Sequence, residues 1–363
     1  MEEKTVVVLG ATGSIGLQTF QVIETLNNFR VIGIAFGKNK KTGTRIMKKF
    51  KIKHYVAEVQ LNEGTRYENI KELLELLRPD IVVSAIPGFA GVRAALDSIP
   101  FTKRLALATK EALVCSGPFV KKLCKDYDTE LIPIDSEHSA IFQLMESEIK
   151  KIMITASGGA VRDIDINEFE FLTPEKILKH PVWNMGKRIT IDSATMVNKA
   201  FEIIEAYELF GTPIEDIEVY IHPTGTVHGA VLLKDGTVKI HYGYPDMKIP
   251  IAFALTYPER CYENYNWPPF ENKFFEFYEV DKRKYPAYFY GRAIAKDLAR
   301  RIAFNAADEV AVHKFVNGEI KFTKIPGLIE SVCESINEKV KSIEDVFEID
   351  RLAREIAYNK MNL

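Results

Sequence analysis

Apolar residues come first in short, β-rich runs separated by amphipathic stretches. The runs 5–9, 31–36, 80–84, 104–107 and 131–134 read as buried parallel strands. Between them, 15–26, 67–77, 91–98 and 118–125 carry apolar positions at helical spacing. Strand–helix alternation with short connections predicts a doubly wound α/β domain over 1–150. A different pattern follows. A strand at 152–155 leads into Ser157-Gly158-Gly159, and breakers (Pro174, Pro181, Gly186) make 158–188 irregular. A helix over 198–210 stops at Gly211, and strands follow at 218–222, 230–233 and 237–242, the last two joined by an Asp235-Gly236 turn. These features predict a central α+β domain over 151–256. Residues 257–286 are aromatic, polar and proline-containing and read as a linker. The remainder, 287–363, reads as a helical C-terminal domain, with helices at 293–303 and 306–316 followed by two shorter ones.

Composition narrows the function classes. The 363 residues are 47% hydrophobic and 27% charged, with a net charge of −2, an ordinary globular profile. A nucleic-acid partner is not expected without a basic excess. No run of eighteen apolar residues exists, so no membrane partner is expected. The chain opens directly into a strand, which leaves no room for a targeting segment, and its four cysteines lack metal-type spacing. A cytoplasmic location is therefore expected.

The most specific local signal is Gly10-Ala11-Thr12-Gly13-Ser14-Ile15-Gly16, placed between the first strand and the first helix. A dinucleotide pyrophosphate meets backbone N–H groups there; a tight strand–helix turn is the alternative. No acid lies between Glu24 and Glu58, and the second strand ends Gly37-Lys38-Asn39-Lys40-Lys41. A missing carboxylate beside a cluster of ammonium groups suits a 2′-phosphate, hence NADPH; a solvated basic loop is the alternative.

Asp135-Ser136-Glu137 follows the strand 131–134, where open α/β sheets place ligands. Its two acids point the same way if extended and suit Mg²⁺ or Mn²⁺; alternatively they cap the next helix. In 191–202, Asn198, Lys199 and Glu202 share a helix face and suit a phosphate with a metal. There too a plainer reading stands: Asp192 or Ser193 as a cap and Lys199–Glu202 as a surface pair. Trp183, between His180 and Gly186, reads either as a lid indole or as a loop anchor.

Taken together, GATGSIG (10–16), GKN (37–39), KEALV (110–114), IDSEHSAIFQ (134–143), ASGGA (156–160), the long block 180–206, GYPDMKIPIAFALTYPER (243–260) and FNAADEVAV (304–312) resemble the 1-deoxy-D-xylulose 5-phosphate reductoisomerase family. The resemblance implies an NADPH- and divalent-metal-dependent (Mg²⁺, Mn²⁺ or Co²⁺) oxidoreductase of the non-mevalonate isoprenoid pathway. It implies a homodimer, a phosphorylated sugar substrate, inhibition by fosmidomycin, and a lid over about 157–187. It implies metal acids Asp135, Glu137 and Glu202, and catalytic roles for Lys110, Glu137 and Glu202. Substrate contacts are implied at Lys110, Ser136, Glu137, Ser157, His180, Trp183, Ser193, Asn198, Lys199 and Glu202. Of these, Ser157, Ser193, Asn198 and Lys199 hold the phosphate. Nucleotide contacts are implied at Thr12, Gly13, Ser14, Ile15, Gly37, Lys38, Asn39, Glu111 and Gly186. Against the family pattern, Thr109 stands where Asn is usual, Ala160-Val161 replaces Pro-Phe, 222–225 replaces His-Pro-Gln-Ser, and FNAAD replaces LNAAN. Other functions the residues allow are an NADP-dependent dehydrogenase of the semialdehyde or homoserine type and a non-catalytic NADPH sensor.

Overall fold

A computed structural model describes residues 3–178, 186–266 and 274–361. Among these, seven strands make one parallel sheet: β1 (Lys4–Leu9), β2 (Phe29–Phe36), β3 (His54–Ala57), β4 (Thr65–Arg66), β5 (Ile81–Ser84), β6 (Arg104–Leu107) and β7 (Glu130–Pro133), in the order β4-β3-β2-β1-β5-β6-β7. Val6–Leu9 and Ile81–Val83 are buried, as strands covered on both faces require. The order reverses between β1 and β5. That switch point opens the crevice in which such sheets bind ligands.

The helices of the first half are α1 (Ser14–Thr25), α2 (Lys40–Phe50), α3 (Ile70–Leu77), α4 (Ala90–Ser98), α5 (Glu111–Tyr127) and α6 (Ser136–Leu144). Strands β3 and β4 and helix α2 were not expected from the sequence. In α2 only Gly43, Ile46 and Met47 are buried, too few apolar positions to announce a helix.

A second sheet contains β8 (Ile149–Ala156), β9 (Ile217–Ile221), β10 (Val227–Leu233) and β11 (Val238–Tyr242), in the order β11-β10-β8-β9. β10 and β11 form the expected hairpin, and Gly236 takes the positive φ of +91° that its turn requires. Helices α7 (Pro174–Ile177), α8 (Lys187–Thr195) and α9 (Val197–Phe210) lie between β8 and β9, so the described part of 158–188 is less irregular than expected. Gly211 ends α9 in the left-handed region. Helices α10 (Lys248–Thr256), α11 (Pro286–Ala293), α12 (Leu298–Val316), α13 (Ile325–Cys333) and α14 (Ile343–Met361) complete the chain. The two helices expected at 293–303 and 306–316 are instead one continuous helix, α12, with α11 before it. Asn305, in the expected gap between them, is buried inside α12, where its side-chain carbonyl accepts from Arg188 Nη2 at 2.9 Å. That bond removes its competition for the helix backbone.

The chain groups into two compact units that are not linear in sequence. One holds 1–112, 118–139 and 246–267; the other holds 113–117, 140–245 and 268–363. Arg104 explains why 246–267 belongs to the first. Its guanidinium donates to the carbonyls of Ala254 (3.1 Å), Leu255 (3.0 Å) and Tyr257 (2.7 Å) at the end of α10 and pairs with Glu130 at 2.6 Å. The last carbonyls of a helix have no partner within it, and here a buried arginine supplies one.

Candidate active site

In the first unit the glycine loop lies at the switch point. Gly10 has φ +87°, and a Cβ there would lie 2.3 Å from the Ala85 carbonyl oxygen that follows β5. Gly16 is closed to side chains in the same way, 2.4 Å from Gly10 O. The N–H groups of Gly10 and Ala11 both donate to Ala35 O at 2.9 Å, which ties the loop to the end of β2. Gly13 caps α1 with no side chain, so the first-turn N–H groups and the positive end of the helix dipole have no capping carboxylate or hydroxyl. Gly13 and Ser14 are exposed, and Thr12 and Ile15 are half-buried. This is an anion cradle that fits a pyrophosphate. The bare-turn alternative accounts for Gly10 and Gly16 but not for an uncapped, exposed N-terminus.

Beside it, Gly37 and Lys38 follow β2, and the Asn39 side chain caps α2 by accepting from Thr42 N at 3.1 Å. Glu111 is buried and accepts from Gly88 N at 3.0 Å, so its carboxylate orders the loop after β5. Thr109 donates to Ser84 O and Ile86 O, at 3.2 and 2.9 Å, and braces the same loop.

The acids after β7 are set by burial and by one lysine. Lys110 Nζ lies 2.6 Å from Asp135 Oδ2, and both side chains are about nine-tenths buried. His138 Nδ1 lies 3.6 Å from the other Asp135 oxygen. Burial alone would raise the Asp135 pKa. The Lys110 ammonium and His138 outweigh it and hold the carboxyl well below its usual range. Glu137, in the first turn of α6, accepts from Ser136 Oγ at 2.5 Å. Asp135 directs one carboxylate oxygen to Lys110. An all-oxygen donor set in which Asp135 is held ionised fits a hard divalent cation.

In the second unit Ser157, Ser193, Asn198, Lys199 and Glu202 lie on β8's exit loop and on α8 and α9. Gly158 and Gly159 have φ values of +78° and +62°, and a Cβ on Gly159 would lie 2.5 Å from Ser193 O. Only glycine lets residues 157–159 approach α8 so closely. Ser157 Oγ accepts from Gly159 N at 3.1 Å, Tyr285 Oη donates to Gly158 O at 2.8 Å, and Arg162 Nη1 donates to Ser157 O at 3.1 Å. Met196, at φ +56°, makes the corner between α8 and α9. On α9, Glu202 is 1% exposed and takes Lys199 Nζ on one oxygen and Asn198 Nδ2 on the other. The capping alternative fails here: Asp192 and Ser193 lie inside α8, and the Lys199–Glu202 pair is buried. Ala160-Val161 keeps the loop packed, since Val161 is fully buried. His180 and Trp183 lie outside the described residues, and Gly186 is the exposed residue that starts α8.

Sequence reasoning missed the network that holds α8. Arg188 donates to Glu309 Oε1 at 2.8 Å and to Asn305, and lies 3.2 Å from Asp308 and 3.4 Å from Asp192. Arg354 extends it, with Glu309 at 2.7 Å and Asp350 at 2.8 Å. Asp308 is fully buried. Burial pushes its carboxyl up to about 6, against the pull of Arg188 and with help from Glu309. The only sequence signal was the departure at FNAAD.

Three family models match the chain: 1-deoxy-D-xylulose 5-phosphate reductoisomerase over 6–117, its C-terminal domain over 131–210, and the DXP reductoisomerase C-terminal domain over 242–356. The 1-deoxy-D-xylulose 5-phosphate reductoisomerase of Pseudothermotoga lettingae is 47% identical, covering 98% of both chains. That of Thermotoga maritima is 49% identical over 95% of this chain and 94% of its own. Among solved structures, a DOX-P reductoisomerase in complex with NADPH, fosmidomycin and magnesium superposes with a TM-score of 0.93 at 31% identity, covering 99% of this chain and 98% of its own. The Zymomonas mobilis enzyme in complex with NADPH gives 0.90 at 33% identity, covering 99% of each. Neither the semialdehyde or homoserine dehydrogenase alternative nor the non-catalytic sensor is favoured by these matches. The chain belongs to the 1-deoxy-D-xylulose 5-phosphate reductoisomerase family.

Proposed function

We propose that the chain converts 1-deoxy-D-xylulose 5-phosphate to 2-C-methyl-D-erythritol 4-phosphate, an isomerisation followed by a reduction, using NADPH and a divalent metal. The observation that carries this is that one sheet ends in both a side-chain-free anion cradle, after β1 at its switch point, and, after β7, an ionised Asp135 paired with Lys110. When bound, the nucleotide supplies hydride and the metal supplies Lewis acidity towards the substrate's ketone and adjacent hydroxyl oxygens.

Thr12, Gly13, Ser14 and Ile15 would hold the pyrophosphate, Gly37, Lys38 and Asn39 the 2′-phosphate, and Glu111 and Gly186 the rest of the nucleotide. Asp135, Glu137 and Glu202 are the metal acids, with Mg²⁺, Mn²⁺ or Co²⁺ as the ion. Lys110 presents an Nζ proton to negative charge developing on a substrate oxygen, while its pairing holds the Asp135 carboxyl ionised. Glu137 and Glu202 act on the reacting end. Ser136 and His180 contact the substrate, and Trp183 covers it.

Ser157, Ser193, Asn198 and Lys199 bind the phosphate. Lys199 and Asn198 are held in place by Glu202, and Ser157 by its own glycine turn. A phosphate anchored away from the reacting carbons lets binding energy orient them. The chain works as a homodimer in the cytoplasm; four cysteines outside any disulfide suit a reducing compartment. Among the described residues no helix is long and apolar enough to cross a membrane. The same site takes fosmidomycin.

The test is product analysis after incubation with 1-deoxy-D-xylulose 5-phosphate, NADPH and Mg²⁺. Formation of 2-C-methyl-D-erythritol 4-phosphate is expected. Unchanged substrate, with the nucleotide still bound, would overturn the proposal.

A further inference from the structure

Strands β2 and β3 pair in the register Phe36↔Ala57, so the residues that follow them, Gly37 and Glu58, stand side by side. The Glu58 carboxylate fills the space in front of Gly37: a Cβ on Gly37 would lie 3.2 Å from Glu58 Oε1. Its other oxygen lies 3.7 Å from Lys38 Nζ, and the two side chains are 61% and 84% exposed.

In nicotinamide-nucleotide folds the end of the second strand reads the adenosine ribose. A carboxylate there accepts from the hydroxyls of NAD(H), and a cation there receives the 2′-phosphate of NADP(H). This chain has no acid between residues 24 and 58, and residue 37 has no side chain. The carboxylate arrives from the neighbouring strand instead, at the place a residue-37 side chain would occupy. Lys38 supplies the cation. Because the Asn39 side chain caps α2, the backbone that carries Lys38 is fixed by the fold.

We propose that Glu58 is a specificity-determining residue of the nucleotide site, its carboxylate accepting from the adenosine ribose hydroxyls so that the chain uses NADH alongside NADPH. This rests on the assignment of the 37–39 loop to the nucleotide in the proposed function. A 2′-phosphate is attracted by Lys38 and repelled by Glu58, whereas a 2′-hydroxyl donates to Glu58 without repulsion. The hydride transferred and the proton taken up are the same for both nucleotides, because the 2′ group is remote from the nicotinamide. An ion pair this exposed contributes little to folding, so its role is open to substitution without loss of the fold.

The test is kcat/KM for NADPH and for NADH at saturating substrate and Mg²⁺, in the native chain, Glu58→Gln and Lys38→Met. The native chain is expected to show a measurable NADH-dependent rate. Glu58→Gln is expected to raise the NADPH/NADH ratio about tenfold, by lowering KM for NADPH and raising it for NADH with kcat little changed. Lys38→Met is expected to lower the ratio. No NADH rate in the native chain, or a Glu58→Gln ratio within about twofold of native while Lys38→Met lowers it, overturns the role of Glu58 and leaves the loop's assignment standing. If neither variant moves KM for either nucleotide, the assignment of the loop itself falls, and the inference with it.

Discussion

Arg188 Nη1 donates to Glu309 Oε1 at 2.8 Å, and this bond joins α8, which carries Ser193, to α12. The same guanidinium also serves Asn305, Asp308 and Asp192. Three carboxylates and an amide, mostly buried, thus converge on this one guanidinium, and of the three Glu309 also pairs with Arg354. Arg188→Met removes the cation and leaves the acids. Loss of one partner from a buried ionic cluster costs about 3–5 kcal/mol. The variant is expected to unfold at lower denaturant and, at temperatures where it stays folded, to raise KM for the phosphorylated substrate more than KM for NADPH. Unchanged denaturant midpoint and unchanged substrate KM would sink the positioning role.

Asp308 sets the pH response of that cluster. Its folded-state pKa is raised from 3.8 to about 6, chiefly by burial. A carboxyl with a raised pKa binds its proton more tightly when folded, so its contribution favours the native state below about pH 4 and is lost as pH rises to about 6. A shift of that size corresponds to about 3 kcal/mol at most. Asp308→Asn removes the titration while keeping the shape. Its stability is expected to exceed the native chain's at pH 7 and to vary less between pH 4 and 6. Denaturant titrations across that range check this, and a parallel pH profile for the two proteins would contradict it.

Gly10→Ala tests the nucleotide cradle. Its positive φ alone costs about 1–3 kcal/mol with a side chain, and the new Cβ would lie 2.3 Å from Ala85 O. The β1–β5 crevice must then open. The expected result is loss of NADPH binding, measured by nucleotide fluorescence, in a protein that remains folded by circular dichroism. Native NADPH affinity in this variant would remove the loop from the site.

Much of this was legible in the sequence because it depends on local pattern. Strands β1, β2, β5, β6 and β7 are continuous apolar runs, and the glycine spacing at 10–16 states its own backbone requirement. Strand β4 has only two residues, and β3 reads His-Tyr-Val-Ala and is only alternately buried, so neither announces itself as a continuous apolar run. The acids Asp135, Glu137 and Glu202 could be picked out as residues, but their electrostatics could not. Lys110 lies 25 positions before Asp135, and Arg188 meets partners about 120 positions away. Glu58 was visible only as the first acid after a long gap; the β2–β3 register makes it a neighbour of Gly37. Long-range pairings of this kind leave no trace in spacing along one chain.

Glu202→Gln separates metal chemistry from nucleotide binding. The carboxylate is buried and shared between Lys199 and Asn198, so the amide keeps the shape and loses the charge. Turnover is expected to fall by about a hundredfold or more, with NADPH affinity unchanged. Native turnover at saturating Mg²⁺ and Mn²⁺ would strike Glu202 from the metal acids.

The most direct test of the central claim is the loss of NADPH absorbance on adding 1-deoxy-D-xylulose 5-phosphate, with Mg²⁺ in one sample and a chelator in the other. Oxidation that requires both substrate and metal is the expected result. NADPH oxidation that persists in the chelator, or none in either sample from protein that still binds NADPH, would contradict it.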